Sequence, residues 1–244
     1  MTYMILKCEN ISFQYEKGRR TLTDCSFEIA EGARIGLIGC NGAGKSTLLK
    51  LITGLLKPDG GRIEVGGFEV CKANLAAVRQ RAGFVFQEAE NQLFMPTVGE
   101  DVAFGPSNYK MSGSVLDEAV GETLKSLGIE GLRDRRITRL SGGEKKLVSL
   151  ASVLVMKPSL LILDEPTIAL DPGNRRRLIN ILKELSQAQL IASHDLDMIW
   201  DTCSEVLLLA DGYIAARGAA EKILTDKELL EENGLELPLR FQGG

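Results

Sequence analysis

The chain has no uninterrupted run of 18 apolar residues, so none of its segments reads as a membrane-spanning helix. Its first ten residues, MTYMILKCEN, lack the charged-then-apolar layout of a secretory leader. A soluble protein of the cytoplasm is the expectation. Positive charge is not in excess either: 29 Lys and Arg stand against 33 Asp and Glu, for a formal charge of −4. No global basic field exists to hold nucleic acid or an anionic bilayer by charge alone, and no nucleic-acid partner is expected. Cysteine is sparse as well. The five (Cys8, Cys25, Cys40, Cys71 and Cys203) are odd in number and never spaced as CxxC, which argues for free thiols rather than a disulfide framework or a zinc site. Apolar residues are not scarce. With 44% hydrophobic and 25% charged residues over 244 positions, disorder is excluded as the main state and one large domain or two small ones is the prior.

No internal repeat or low-complexity segment interrupts the chain. ILKCENISFQY and TLTDCSFEI alternate as two half-buried antiparallel strands. ARIGLIG is then a short apolar strand, followed by a glycine-rich turn and by STLLKLITGLL, whose Leu48, Leu49, Ile52, Leu55 and Leu56 recur at helical spacing. KPDGG reads as a turn, RIEVGG as a strand, and AGFVFQ as a strand ending at Gln87. Residues 97–157 carry mostly helical patterns and form a helical insertion, with Ser141 placed to cap its last helix. After Pro158 strands and helices alternate again: LLILDE, NRRRLINILKELS, LIASH, then VLLLADGYIAARG with a hairpin turn at Asp211-Gly212. Residues 1–220 form the main domain. Residues 221–244 are expected to be short helical pieces and a loosely held polar tail.

Chemistry concentrates in a few places. GCNGAGKS, residues 39–46, lies directly after a strand and directly before a helix, where a phosphate-binding loop must lie. Gly39, Gly42 and Gly44 let the backbone curl so that N–H groups point at phosphate oxygens, Lys45 adds a full positive charge, and Ser46 offers a hydroxyl to Mg²⁺. LLILDEP ends a buried strand in two adjacent carboxylates. One of them, Asp164, can face the Mg²⁺ shell while Glu165, past the strand end, approaches the attacking water; the alternative is a surface strand cap. His194, the chain's only histidine, follows LIAS at the sheet edge where open α/β sheets gather ligands. Gln87 is by itself a strand-end hydrogen bonder. LSGGE, residues 140–144, is either a second helix-N-terminal anion site or a plain capping box of Ser141 with Glu144.

In this order, GCNGAGKS, FVFQ, LSGGE, LLILDEP, ALD (residues 169–171) and His194 resemble the ATP-binding cassette (ABC) ATPases over nearly the whole chain, from about Tyr3 to Gly218. The resemblance implies an α/β P-loop NTPase (RecA-like) core with an N-terminal antiparallel β subdomain and an inserted helical subdomain. It implies ATP and Mg²⁺ as the bound species. Nucleotide contacts are implied for Tyr15 on adenine, for Gly39, Cys40, Asn41, Gly42, Ala43, Gly44, Lys45, Ser46 and Thr47 on the phosphates, and for Ser141, Gly142 and Gly143 on the nucleotide of a partner subunit. Ser46, Gln87 and Asp164 are implied on the metal, Glu165 as the catalytic carboxylate, and His194 on the γ-phosphate. Glu144 stands where Gln is commoner, and Ile168 where a small residue usually precedes the ALD turn.

Within the family, QEAENQLFMPTVGEDVAFGP (residues 87–106) is similar to the cobalt-type and energy-coupling-factor importer ATPases, with Glu88-Ala89 departing from their usual Asn-Pro. This implies a second ATPase subunit, identical or a paralogue, and an integral membrane partner at the inner face of the cell membrane. Leu93, Phe94, Met95 and Val98 are expected to meet that partner or else to staple the helical arm. A non-transport ABC-type ATPase acting on ribosomes or nucleic acid is the alternative. The translation type carries two cassettes in one chain and the DNA-end type needs a long coiled coil, whereas this chain has one phosphate loop and about 50 residues between Gln87 and Leu140. Cys40, near loop amides and Lys45, is expected to be the reactive thiol, since the other four cysteines fall in strand-like or helical stretches.

Overall fold

The structure, a computed structural model, describes residues 3–16 and 19–242. Two sheets carry the fold. The first is antiparallel in the order β2-β1-β4-β5, built from β1 (Met4–Glu16), β2 (Arg19–Ala30), β4 (Gly60–Val65) and β5 (Phe68–Glu69). Lys7 pairs with Glu28 and Cys8 with Phe27 across β1 and β2; Leu6 and Cys8 point inward in the alternation expected, which Ile5, also buried, and a register shift between Cys8 and Ile11 interrupt. The second runs β10-β9-β3-β8-β7-β6, from β3 (Arg34–Ile38), β6 (Ala82–Val85), β7 (Leu160–Asp164), β8 (Ala188–Ala192), β9 (Glu205–Ala210) and β10 (Tyr213–Ala219). All its pairings are parallel except β9 with β10, whose turn places Asp211 at φ 47° and Gly212 at φ 81°, the doubly positive backbone a two-residue hairpin demands.

Every residue of β7 is buried, because the sheet is covered on both sides. Leu160 and Ile162 join the core beneath α1 (Lys45–Ile52) and the antiparallel sheet. Leu161 and Leu163 join the other core, beneath α5 (Gly142–Leu154) and α6 (Pro172–Glu184). Each such leucine contributes about 2 kcal/mol by burial. Asp164 and Glu165 are thereby carried to the end of a fully buried strand paired on both edges.

The helical arm comprises α3 (Val98–Asn108), α4 (Gly113–Ser126) and α5, with α2 (Leu75–Arg81) leading into β6. Capping boxes start two of these: Thr97 with Glu100, and Ser141 with Glu144. Leu93 and Val98 are core residues, whereas Phe94 is 63% exposed, so the apolar group expected at 93–98 splits between core and surface.

Three expectations change. The helix after the phosphate loop ends at Ile52 rather than running through Leu55 and Leu56, because Gly54 takes a left-handed backbone (φ 66°) and the N–H groups of Leu55 and Leu56 turn back to the Lys50 carbonyl. β6 stops at Val85, so Gln87 lies two residues beyond the strand it was expected to end. The tail from 221 is not loosely held. Helices α8 (Ala220–Thr225) and α9 (Lys227–Glu232) bury Ile223, Leu224 and Leu230 in the main core, and Arg240 hooks onto α7 (Leu196–Thr202). Among the described residues no helix is long and apolar enough to cross a membrane.

Candidate functional site

β3 delivers the chain to Gly39, where a Cβ would collide with the Leu209 carbonyl and the backbone sits at φ 149°. Only glycine fits there. At Gly42 (φ 84°) a Cβ would meet nothing within 4 Å, so the requirement is one of backbone conformation alone. The loop returns into α1, whose first residue, Lys45, is buried with its ammonium donating to the carbonyls of Gly39 (2.6 Å) and Cys40 (3.2 Å). Burial lowers the Lys45 pKa, an effect that the nearby Glu165 and Asp164 carboxylates oppose. Ala43 packs beneath the loop.

At the end of β7, the Ser46 hydroxyl donates to Asp164 Oδ1 at 3.2 Å. Burial raises the Asp164 pKa, partly offset by that hydroxyl and by Lys50, Lys45 and Lys146. Glu165 leaves the strand at φ 45°. Its Oε2 accepts from Ser193 Oγ (3.2 Å) and from the His194 N–H (3.1 Å), while Oε1 is buried without a hydrogen-bond partner. An orphaned carboxylate oxygen at a cleft wall costs stability and is left free for a ligand. His194 Nε2 lies 3.1 Å from Lys45 Nζ and 3.5 Å from Glu165 Oε1. Lysine can only donate, so the Nε2 lone pair is taken by Lys45 and offers Glu165 no proton. Burial and the Lys45 charge both push the His194 pKa down, so the ring is neutral at pH 7 despite the carboxylates beyond it.

Lys45, Ser46, Glu165 and His194 line an open cleft of about 1000 Å³ with Cys40, Asn41, Gly42, Gly44, Thr47, Gln87 and Tyr15, whereas Asp164, reached through Ser46, is not part of its wall. Tyr15 is 59% exposed, its ring edge-on to Phe13 and its hydroxyl 3.2 Å from Thr47 Oγ1. Arg20, Thr21, Ile168 and the Asp211-Gly212 turn complete the wall. Sequence reasoning read that turn only as a hairpin, and nothing local in the sequence marks it as facing the cleft.

Ser141, Gly142 and Gly143 are not part of this cleft. They start α5, where Ser141 and Glu144 make their reciprocal capping bonds (3.3 and 2.8 Å) and Ser141 and Gly142 are exposed. A missed residue sits one turn on. Lys146 is 4% exposed and donates to the carbonyls of Phe86 (3.0 Å) and Gln87 (2.7 Å), and burial pushes its pKa down to about 8. Its spacing from Gly143 and Leu150, both buried, was the signal that it lies on the inner face of α5. Of the cysteines other than Cys40, Cys8, Cys25 and Cys203 are buried, whereas Cys71 is half-buried in a turn before α2, not in a strand or helix.

A parallel sheet that brings a phosphate loop, an acid pair and a histidine to one edge, with a helical arm bearing a separate glycine-rich helix start, defines an ATP-hydrolysing cassette. The chain belongs to the ABC transporter family, whose sequence profile matches residues 22–168. An ABC transporter ATP-binding protein of Gloeobacter violaceus is 48% identical over 236 residues, 96% of this chain and 97% of that one. The energy-coupling factor transporter ATP-binding protein EcfA of Methanothermobacter thermautotrophicus is 40% identical over 239 residues, 96% of this chain and 77% of that one. Among solved structures, CbiO1 of Clostridium perfringens, part of the ABC transporter complex CbiONQ, superposes with a TM-score of 0.85 at 36% identity, covering 95% of this chain and 94% of that one. The cassette MJ0796, in a dimeric post-hydrolysis state bound to ADP and Pi, superposes with a TM-score of 0.79 at 27% identity, covering 88% and 98%. The chain is thus the ATP-binding, ATP-hydrolysing subunit of an ABC transporter.

Proposed function

We propose that this subunit powers a membrane importer of the energy-coupling-factor type, taking up cobalt or nickel ions or a vitamin, from the inner face of the cell membrane. The observation that carries this reading is the segment after Gln87. Phe94 and Phe104 stack edge-on at 4.7 Å while 63% and 41% exposed, an apolar pair on the segment that follows Gln87. The likeness to EcfA and to CbiO1 of the CbiONQ complex supports the same subgroup.

In the proposed cycle the loop N–H groups from Asn41 to Thr47 and the Lys45 ammonium hold the phosphates, and Tyr15 stacks on the adenine. Ser46, Asp164 and Gln87 are hard oxygen donors of the kind Mg²⁺ takes; Ser46 and Gln87 line the cleft, and Asp164 stands directly behind the Ser46 hydroxyl, a donor set that would fit that ion. When bound, Mg²⁺ neutralises charge on the phosphate oxygens. Glu165 Oε1, without a partner, accepts the proton of the attacking water, its other oxygen fixed by Ser193 and His194. Neutral His194 steadies the γ-phosphate beside Lys45. Ser141 to Gly143 close the site of a second ATPase subunit, identical or a paralogue, which accounts for their lying off this chain's own cleft. The dimeric MJ0796 cassette with ADP and Pi supports that arrangement.

Co-purification tests the reading. Recovery with an integral membrane subunit and a substrate-binding component is the expected result; recovery with ribosomes or nucleic acid overturns it.

A further inference from the structure

The tail expected to be loosely held is fastened at one end to the phosphate loop and at the other to α7, the helix that follows His194. At its start, the Asn233 carbonyl accepts the Cys40 thiol at 3.1 Å, inside the phosphate loop, and Gly234 (φ 69°) packs so closely there that a Cβ would sit 3.2 Å from the Cys40 sulfur. Leu235 and Leu237 then pack onto the main core. At its far end, the Leu239 N–H donates to Asp197 Oδ2 (2.8 Å), Arg240 Nε to Asp197 Oδ1 (2.7 Å), and Arg240 Nη2 to Asp201 Oδ1 (2.8 Å). Trp200 meets Phe241 edge-on at 4.8 Å between ring centres.

Asp197 and Asp201 are four residues apart on α7, so one guanidinium spans both carboxylates and fixes the rotation of the helix about its axis. α7 begins two residues after His194. Behind that histidine lies a second hollow of about 650 Å³, walled by Asp195, Asp197, Leu237 and Arg240, and His194 is the one described residue that lines both this hollow and the nucleotide cleft. The ring therefore has nucleotide space in front of it and the tail behind it.

We propose that residues 233–242 are a strap that holds His194 in register with the phosphate loop during ATP hydrolysis, with Arg240 as its positioning residue. The strap spans the phosphate loop, which leads into Lys45, and α7, which begins two residues after His194, and so bridges the elements on either side of the 3.1 Å contact between Lys45 and His194. The kinetic consequence rests on the role given above to His194. Nucleotide affinity comes mainly from the loop and Lys45, which the Arg240 end of the strap does not touch, so its loss acts on turnover.

The test uses the full chain, kcat and KM for Mg-ATP, the melting temperature, and the ring resonances of His194, which are unambiguous in a chain with a single histidine. Arg240→Ala lowers kcat about tenfold with KM unchanged, as a small misplacement of a phosphate contact does, and shifts the His194 resonances. Arg240→Lys, able to reach one carboxylate, restores most of both. Arg240→Ala combined with Asp197→Asn is no worse than Arg240→Ala alone. Wild-type kcat with unmoved resonances overturns the proposal. A lower melting temperature and lower kcat with unmoved resonances also overturns it, since the tail then serves the fold only. Wild-type turnover in His194→Ala overturns the site reading instead, a separate result, because the resonances report the strap whatever His194 does.

Discussion

Glu165→Gln is the substitution for which the structure predicts a loss of chemistry without a loss of fold. The two hydrogen bonds of the Glu165 side chain are both accepted by Oε2, from Ser193 Oγ and the His194 N–H. A glutamine carbonyl can accept both in the same place, with its NH₂ where Oε1 has no partner. The backbone at φ 45° is equally strained for either residue. Because the variant exchanges one buried group without a partner for another and removes the attraction between the carboxylate and Lys45, its melting temperature is expected at or a few degrees below wild type, about 2–4 °C per kcal/mol for a chain of this size. Turnover is expected to fall by about 10²–10⁴-fold, the usual contribution of a positioned general base. Steady-state phosphate release and nucleotide binding, measured on one preparation, separate the two effects. Turnover within a few-fold of wild type refutes the assignment and moves the base to Asp164 or His194; lost ATP binding refutes the claim that the site survives the change.

Phe94→Asp is expected to abolish co-purification with the membrane subunit and leave soluble ATPase activity intact; a loss of folding instead makes its contact with Phe104 a support of the helical arm. N-Ethylmaleimide is expected to inactivate the ATPase at Cys40 and Mg-ATP to protect, checked by mapping the labelled peptide and by the resistance of Cys40→Ser. Lys146 gives a pH signature: its folded pKa of about 8 lies below the ordinary 10.5, so the unfolded chain binds the extra proton between these values and wild-type stability rises with pH across that window. The gain, about 3 kcal/mol at most from a shift of this size, is absent in Lys146→Met, and melting curves from pH 7.5 to 10.5 on both proteins measure it.

The sheets, the helical arm and the phosphate loop were legible because each rests on a local pattern. Alternation marked β1 and β2, an all-apolar run marked β7, and glycines at fixed offsets marked the turn before α1. The carboxylates and His194 were legible as strand-end residues, though not as one hydrogen-bonded group. What escaped the sequence is what distant segments do to each other. Gly54 ends α1 early against a leucine pattern that continues to Leu56. The Arg240 hook depends on an acid 43 positions away. Lys146 reads as surface charge in EKK until its face on α5 is known. Leu93 and Phe94, neighbours in one apolar run, part to core and surface where a carboxylate on α3, Asp101, accepts the N–H groups of Phe94 and Met95 and fixes the backbone.

The central claim, that a catalytic site is shared between two subunits, is tested most directly by mixing two inactive variants. Ser141→Arg blocks the α5 start that closes the opposite site, and Lys45→Ala empties the phosphate loop. In a dimer containing one of each, one site has both the lysine of the first subunit and the serine of the second, and the other has neither. The account predicts that each variant alone fails to hydrolyse ATP and that their mixture recovers part of the wild-type rate. Wild-type hydrolysis by Ser141→Arg on its own contradicts it, and leaves Ser141 and Glu144 as a helix cap and nothing more.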